Sequence, residues 1–413
     1  MLQAATELRD APIQRTDEAH DRSTSIGEGA LAEHAALPRV QVGDWIEVRG
    51  KAEILATLDE RGRLDGLPFM PQMLEYCGQR FQVHKRAHKT CDTSTGVYVG
   101  RSLPDGIHLD LRCDGSAHGG CQAGCLLFWK EAWIKPVDAA AARARDAAAG
   151  AARQPVAASG TSCTEQDVRE ATRRIDDGAE TRYVCQATEL LQFTRPLKWW
   201  DPRQYAEDYR SGNEPVGKMA SVLIYATYVF WTRANSRKWG APGRWLYDSW
   251  QSIWGGQRFP RHKGTIPVGS PTPRQDANLQ AGEWVRVKSY ADILATLNEA
   301  GTNRSMTFDG EMVPYCGRIF QVRTRVERFI DEGTGRIKSL KTPAVILEGA
   351  YCQARYSHHR LLCPRSIFSW WRENWLERID PPTITGQAAT DATGVRAGDA
   401  GSAPRPATAV SAH

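Results

Sequence analysis

The chain has 413 residues, is 41% hydrophobic and carries a net charge of +5, which predicts two to three domains with real cores. Ten cysteines and fourteen tryptophans make thiol chemistry and aromatic packing the features to follow. The N-terminus opens with Glu, Arg and Asp rather than a basic segment and an apolar run, and no window of about 18 apolar residues marks a transmembrane span. A reducing cytoplasm is the expected setting, where clustered cysteines point to metal or chemistry more than to disulfides.

Residues 1–38 are polar, charged and aperiodic, an expected disordered or weakly helical tail. From Gln41 the run Gln-Val-Gly-Asp-Trp-Ile-Glu-Val-Arg alternates like a strand. Lys51–Leu58 places Ile54, Leu55 and Leu58 at helical spacing. A turn-rich stretch leads to Tyr76-Cys77-Gly78, and Gln79–Lys85, Val97–Arg101 and Ile107–Arg112 read as strands. Then comes Cys113-Asp-Gly-Ser-Ala-His-Gly-Gly-Cys-Gln-Ala-Gly-Cys, followed by Phe128-Trp129 and Trp133. The two Trp lie at i, i+4, which fits a helical turn; a strand from Ala132 to Val137 closing a barrel fits as well.

The same script returns at an offset of 239. Gln41–Glu60 against Gln280–Glu299 gives 11 identities in 20, and Tyr76-Cys77-Gly78 meets Tyr315-Cys316-Gly317. The offset then slides to 242, so that Trp129 and Trp133 meet Trp371 and Trp375. A repeat of this period is a duplicated domain rather than a solenoid. Short strands with many turn residues suit a small twisted sheet or barrel, and the Gly-Asp/Glu-Trp strand resembles the first strand of SH3-like barrels. The expected fold class is therefore α+β: two homologous small SH3-like β-barrel-type domains, at 39–137 and 279–380, separated by a mostly helical insertion. Linkers are expected at 138–160 and 264–278, and a disordered tail at 381–413.

The insertion, 161–263, resembles neither copy. Glu165–Arg174 is an expected helix. Asp201-Pro202 sets an N-cap ahead of a Pro at the first helical position. Val216–Ala234 is a long apolar helix expected to be buried, and Arg244–Trp254 carries Trp and Leu at helical spacing. Residues 195–263 hold 12 basic and 5 acidic side chains, net +7, a local excess that could meet phosphates or an acidic partner.

The first candidate site is a zinc centre from Cys91, Cys113, Cys121 and Cys125, with His118 or Cys77 as substitutes. Zinc takes four thiolate or imidazole ligands, and the intervening glycines let the backbone turn tightly. Seven residues separate the first close pair and three the second, which is not standard finger spacing; an iron–sulfur cluster is not excluded. The second copy keeps Cys316, Cys352 and Cys363 but has Ile330 and Ile367 where Cys91 and Cys125 stand. That apolar replacement suggests that Cys91 and Cys125 are partly buried neighbours. A metal in the second copy would need His358 or His359, and a degenerate structural copy is the stronger expectation.

Cys185, with Glu189 at i+4, reads as a core cysteine, because a carboxylate raises a thiol's pKa and does not activate it. His84 and His88 form a candidate metal pair, against a surface reading among Lys85, Arg86 and Lys89. Arg233, Arg237, Lys238 and Arg244, interleaved with Trp231, Trp239 and Trp245, form a weak nucleic-acid or anion candidate. No Ser-His-Asp order, phosphate loop or dinucleotide fingerprint is present.

Together the Cys-Asp-Gly-Ser-Ala-His loop, Phe-Trp-Lys-Glu-Ala-Trp, Cys-Gln-Ala-Thr-Glu-Leu and Trp-Trp-Arg-Glu-Asn-Trp resemble a family of bacterial proteins with duplicated SH3-like, Cys/Trp-motif domains. The resemblance covers roughly 40–380 and implies no activity and no catalytic residues. The leading expectation is a zinc-binding scaffold component for a partner protein or biosynthetic pathway. One alternative is a metal-dependent enzyme holding its metal on Cys113, Cys121 and Cys125, with His118 or Asp114 as base. The other is nucleic-acid binding through the basic segment.

Overall fold

The computed structural model describes residues 40–95, 99–137, 163–175, 180–234, 240–253, 263–357 and 359–382. The expected linker at 138–160 and nearly all of both expected tails lie outside them. The chain is a mixed α and β structure whose sheets remain open among the described residues.

The first copy begins with β1 (Trp45–Val48), α1 (Lys51–Leu55) and the small hairpin β2–β3 (Arg63–Leu64, Leu67–Pro68). A 3-10 turn at Pro71–Tyr76 leads to β4 (Arg80–Gln82), β5 (Lys85–Arg86), β6 (Lys89–Cys91), β7 (Gly100–Ser102) and β8 (Gly106–His108). The Cys-rich loop follows, then β9 (Trp129–Lys130), a 3-10 turn at Glu131–Trp133 and β10 (Ile134–Pro136). Both alternatives for the Trp pair thus hold a share: Trp129 begins a short strand, Trp133 closes a 3-10 turn, and the chain re-enters the sheet at once.

The insertion holds α2 (Glu165–Glu170), the hairpin β11–β12 (Arg173–Ile175, Thr181–Tyr183), α3 (Leu190–Phe193), β13 (Arg195–Leu197), α4 (Pro202–Arg210), α5 (Val216–Ala234) and α6 (Gly240–Ile253). Two expectations need correction. The helix from Glu165 stops at Glu170, and β11 takes over. The segment is also less separate than a helical insertion: β13 pairs antiparallel with β7 and extends the sheet of the first copy. The N-cap at Asp201 is as expected, its carboxylate accepting from the Arg203 backbone N–H at 3.0 Å.

The second copy comprises β14 (Trp284–Val287), α7 (Tyr290–Leu294), β15–β16 (Thr302–Asn303, Met306–Thr307), β17 (Ile319–Ile330), β18 (Ile337–Tyr351), β19 (Phe368–Trp371) and β20 (Leu376–Ile379). Its five-stranded sheet runs β19-β18-β17-β14-β20. In the first copy β10-β1-β4 keeps that register: Trp45 faces Gln82 as Trp284 faces Gln321. Hydrogen bonds from His84 to His108, Ala87 to Gly106 and Leu103 to His88 carry pairing across the gaps between its shorter strands. The expected linker at 264–278 is tied down: Ala277 N–H donates to Glu373, and the Asn303 amide donates to the Pro273 carbonyl.

The cores repeat in detail. Phe69 meets Trp133 edge-on at 5.1 Å, and Phe308 meets Trp375 at 5.4 Å. The Trp133 indole donates to Thr57, and that of Trp375 to Thr296. Such buried aromatic pairs dominate small-core energetics.

Candidate metal centre and thiol clusters

The Cys-rich loop is shut at its base, where Cys113 N–H donates to the Cys125 carbonyl at 2.8 Å. Inside it, His118 and Gly120 both donate to the Gly115 carbonyl, and Cys121 donates to that of His118. The turn requires glycine at 115: φ is +73°, and a Cβ there would stand 1.9 Å from the Cys121 carbonyl oxygen.

The loop is seated on the other copy. β17 has a register irregularity between Val326 and Arg328, and the N–H groups of Glu327 and Arg328 there both donate to the Gln122 side chain. Ile330 N–H points at the Cys121 sulfur, 3.4 Å away. From the insertion, Val184 to Ala187 covers the loop from another side. The Gln186 side chain accepts from Phe128 N–H and donates to the Phe128 and Pro68 carbonyls.

These elements enclose a cavity of about 30 Å³ lined by Cys113, His118, Cys121, Cys125 and Cys185, with Ile330 and Arg365 among its other walls. That is room for one small ion or a water or two. Burial pushes the Cys113 thiol up to about 12 and that of Cys185 to about 11, and raises Cys125 as well; without a cation, these sulfurs are protonated. Cys113 also accepts from the Gln72 amide at 3.1 Å. His118, at 1% exposure, bonds the Val184 carbonyl through Nε2, while its Nδ1 is buried without a partner. An imidazole held at one nitrogen with the other bare is the arrangement a metal-ligating histidine needs. Among the described residues, no group of three or more His, Cys, Asp and Glu side chains is placed so that it could hold a metal ion.

Cys91 stands elsewhere. It packs with Cys363, Ala354, Cys352 and Ile367, in the loop of the second copy. Sequence reasoning paired Cys91 with Cys125 because both become Ile in the second copy. Instead, each position at the end of β6 or β17 faces the opposite copy's loop: Ile330 meets Cys121, and Cys91 meets Cys363. A hydrogen bond from the Cys363 thiol, reinforced by the Arg365 and Arg360 guanidiniums, outweighs burial and brings Cys91 down to about 6. The same bond, with burial, raises Cys363. Arg365, 3% exposed, donates to the Cys91 carbonyl, Thr93 and Glu332, and so stands between the two thiol clusters.

The other candidates fall outside these clusters. Cys77 bonds the Met73 carbonyl, away from the cavity. His358 lies outside the described residues; His359 is exposed and meets Trp199 edge-on. The basic stretch at 84–89 is not a surface patch. His88, Arg86 and Lys89 are buried, with Lys89 paired to Asp208 at 2.5 Å and Arg86 to Glu131 and Glu207. Arg244 is exposed on α6; Arg237, Lys238 and the side chain of Arg233 lie outside the described residues.

Gln186 and Arg365 are site residues that sequence reasoning missed, and Cys185, read there as a core cysteine, lines the cavity with them. A signal for two of them exists. The tripeptide Cys-Gln-Ala occurs at 121–123, 185–187 and 352–354, and all three copies lie at the thiol clusters.

No family model matches the chain, and no curated protein matches it.

Proposed function

We propose that this protein is a zinc-stapled binding component. Two SH3-like modules brace each other, a zinc ion occupies the cavity of the first Cys-rich loop, and a protein partner docks on the helical insertion. The observation that carries the zinc assignment is that Cys113, Cys121, Cys125, Cys185 and His118, whose buried Nδ1 has no partner, all line one small cavity. The donor set suits zinc. Loading draws the sulfurs inward and releases their protons.

The SH3-like reading is supported by the strand order of the second copy and the 3-10 turn between its last two strands. The partner reading is supported by α5. Its stripe of Val222, Tyr225, Ala226 and Val229 packs inward, while Leu223 and Ile224 are exposed, as are Trp245 and Leu246 of α6, at 70% and 63%. The two helices pack on each other, and apolar groups left exposed on such a pair support a docking surface for a partner. A cytoplasmic setting belongs to the same proposal, supported by ten free cysteines.

Elemental analysis of the purified full-length protein tests the zinc assignment. One zinc per chain is expected, lost on Cys121→Ser and on His118→Ala. Zinc-free wild-type protein, or full zinc in both variants, overturns it.

A further inference from the structure

The second thiol cluster differs from the first in three respects. Its two central cysteines come from different copies, they share one small buried cluster, and the Arg365 guanidinium donates to the backbone carbonyl of one of them, Cys91. Cys91 ends β6, and Cys363 belongs to the loop between β18 and β19; they are 4% and 8% exposed. Cys352, the third thiol of the cluster, is engaged with the Ser357 hydroxyl at 3.9 Å.

We propose that Cys91 and Cys363 form a hydroperoxide-responsive dithiol whose oxidised product is a disulfide joining the two copies. Burial restricts the oxidant to a small molecule, so hydrogen peroxide fits and a bulky disulfide does not. The attacking group in such chemistry is a thiolate, and Cys91 is the sulfur whose neighbours favour that form: the Cys363 thiol, and the positive charge of Arg365, which is anchored on the Cys91 carbonyl.

The chemistry balances in two steps. The Cys91 thiolate attacks one peroxide oxygen; an S–O bond forms, the O–O bond breaks, and the departing hydroxide takes a proton and leaves as water. Cys91 is then a sulfenic acid, oxidised by two electrons, and the peroxide is reduced. The Cys363 sulfur next attacks that of Cys91; the S–S bond forms, the S–O bond breaks, and the released hydroxide takes the Cys363 proton as a second water. The net reaction is two thiols and one peroxide giving one disulfide and two waters.

The corresponding cross-copy contact of the first cluster holds a single cysteine. The residue facing Cys121 from the other copy is Ile330, and its backbone N–H is all it offers the sulfur. Peroxide oxidation is thus directed to one of two corresponding contacts.

The test uses the full-length protein, reduced and then treated with one equivalent of hydrogen peroxide. Remaining thiols are alkylated, and the digest is mapped by mass spectrometry without reduction. The expected first product is a Cys91–Cys363 cross-linked peptide, removed by dithiothreitol. Cys363→Ser should stop at a Cys91 sulfenic acid trapped by dimedone, and Cys91→Ser should lower the rate of peroxide consumption at least tenfold. A first product joining Cys352 to Cys363, a disulfide among the cavity cysteines, or an unmodified Cys91 overturns the proposal. Should either serine variant fail to fold, the wild-type peptide map decides alone.

Discussion

Thr93 donates its hydroxyl to Glu332, the residue that stands at its own position in the second copy, 239 residues further on. The hairpin tips that carry them touch closely: a Cβ on Gly333 would come within 2.7 Å of the Ser94 carbonyl oxygen. Around this point Arg365 binds Thr93, Glu332 and the Cys91 carbonyl together. Arg112 forms a second tie, from the Gly124 carbonyl to that of Ser366.

Arg365→Met should therefore be costly. It leaves Glu332 without its cation and takes the guanidinium donor from the Cys91 carbonyl, and breaking a buried pair from one side costs about 3–5 kcal/mol. Arg378→Ala removes an exposed ion pair with Glu283 and should cost less than about 1 kcal/mol. Guanidinium chloride denaturation of both variants reads the difference, and equal midpoints would show that Arg365 braces nothing.

The duplicated Trp positions should respond alike. Trp133→Ala and Trp375→Ala each empty a fully buried site and remove the indole donor from a threonine hydroxyl, at about 3–5 kcal/mol. Trp245→Ala, at an exposed position, should stay within about 0.5 kcal/mol. Thermal unfolding followed by circular dichroism measures all three.

Glycine substitutions separate backbone strain from collision. Gly78 and Gly115 both have positive φ, +77° and +73°, but a Cβ at 78 meets nothing within 4 Å. Gly78→Ala should cost about 1–2 kcal/mol. Gly115→Ala should in addition spring the Cys-rich loop, seen as faster proteolytic nicking between 113 and 125. Equal nicking rates in the two variants would contradict the collision.

Acid should weaken the fold. His88 and His108 are buried, and burial depresses both to about 3, against about 6.5 in the unfolded chain. Between these values the unfolded state binds more protons, so stability rises with pH and falls on acidification below about 6.5. Each imidazole contributes a slope approaching about 1.4 kcal/mol per pH unit. Asp208, pushed up to about 6 by burial, opposes them over about pH 4–6; two histidines against one carboxylate leave a net loss. Urea midpoints measured from pH 7.5 to 5 should fall, and His108→Gln should flatten the curve.

Much of the fold was legible because duplication prints the same local rules twice. The Gly-Asp/Glu-Trp strand, the Ile-Leu-Ala-Thr-Leu turn of helix and the aromatic block each recur with the same register and the same Trp–Thr bond. What stayed hidden was contact at long range. Nothing in the periodicity of Lys89–Cys91 tells that it ends against the loop of the other copy, and substitution by Ile at 330 looks the same whichever loop the side chain meets. The charges at 84–89 misled for a related reason. Lys89 and Arg86 read as solvated until Asp208 and Glu207 arrive from a helix more than a hundred residues away. Cys185 was read through its i+4 neighbour, although the Cys-Gln-Ala tripeptide it shares with both loops was the better guide.

The reciprocal seating of the two loops has a consequence for how such a chain changes over time. It is an isologous interface within a single polypeptide, of the kind two identical subunits form around a dyad. Between identical subunits a substitution is installed on both sides at once, so both loops would meet cysteine or both would meet isoleucine. Covalent fusion removes that constraint. Here one side has Cys91 against Cys363 and the other has Ile330 against Cys121, so a single ancestral contact can become two unlike ones without disturbing the frame that holds them.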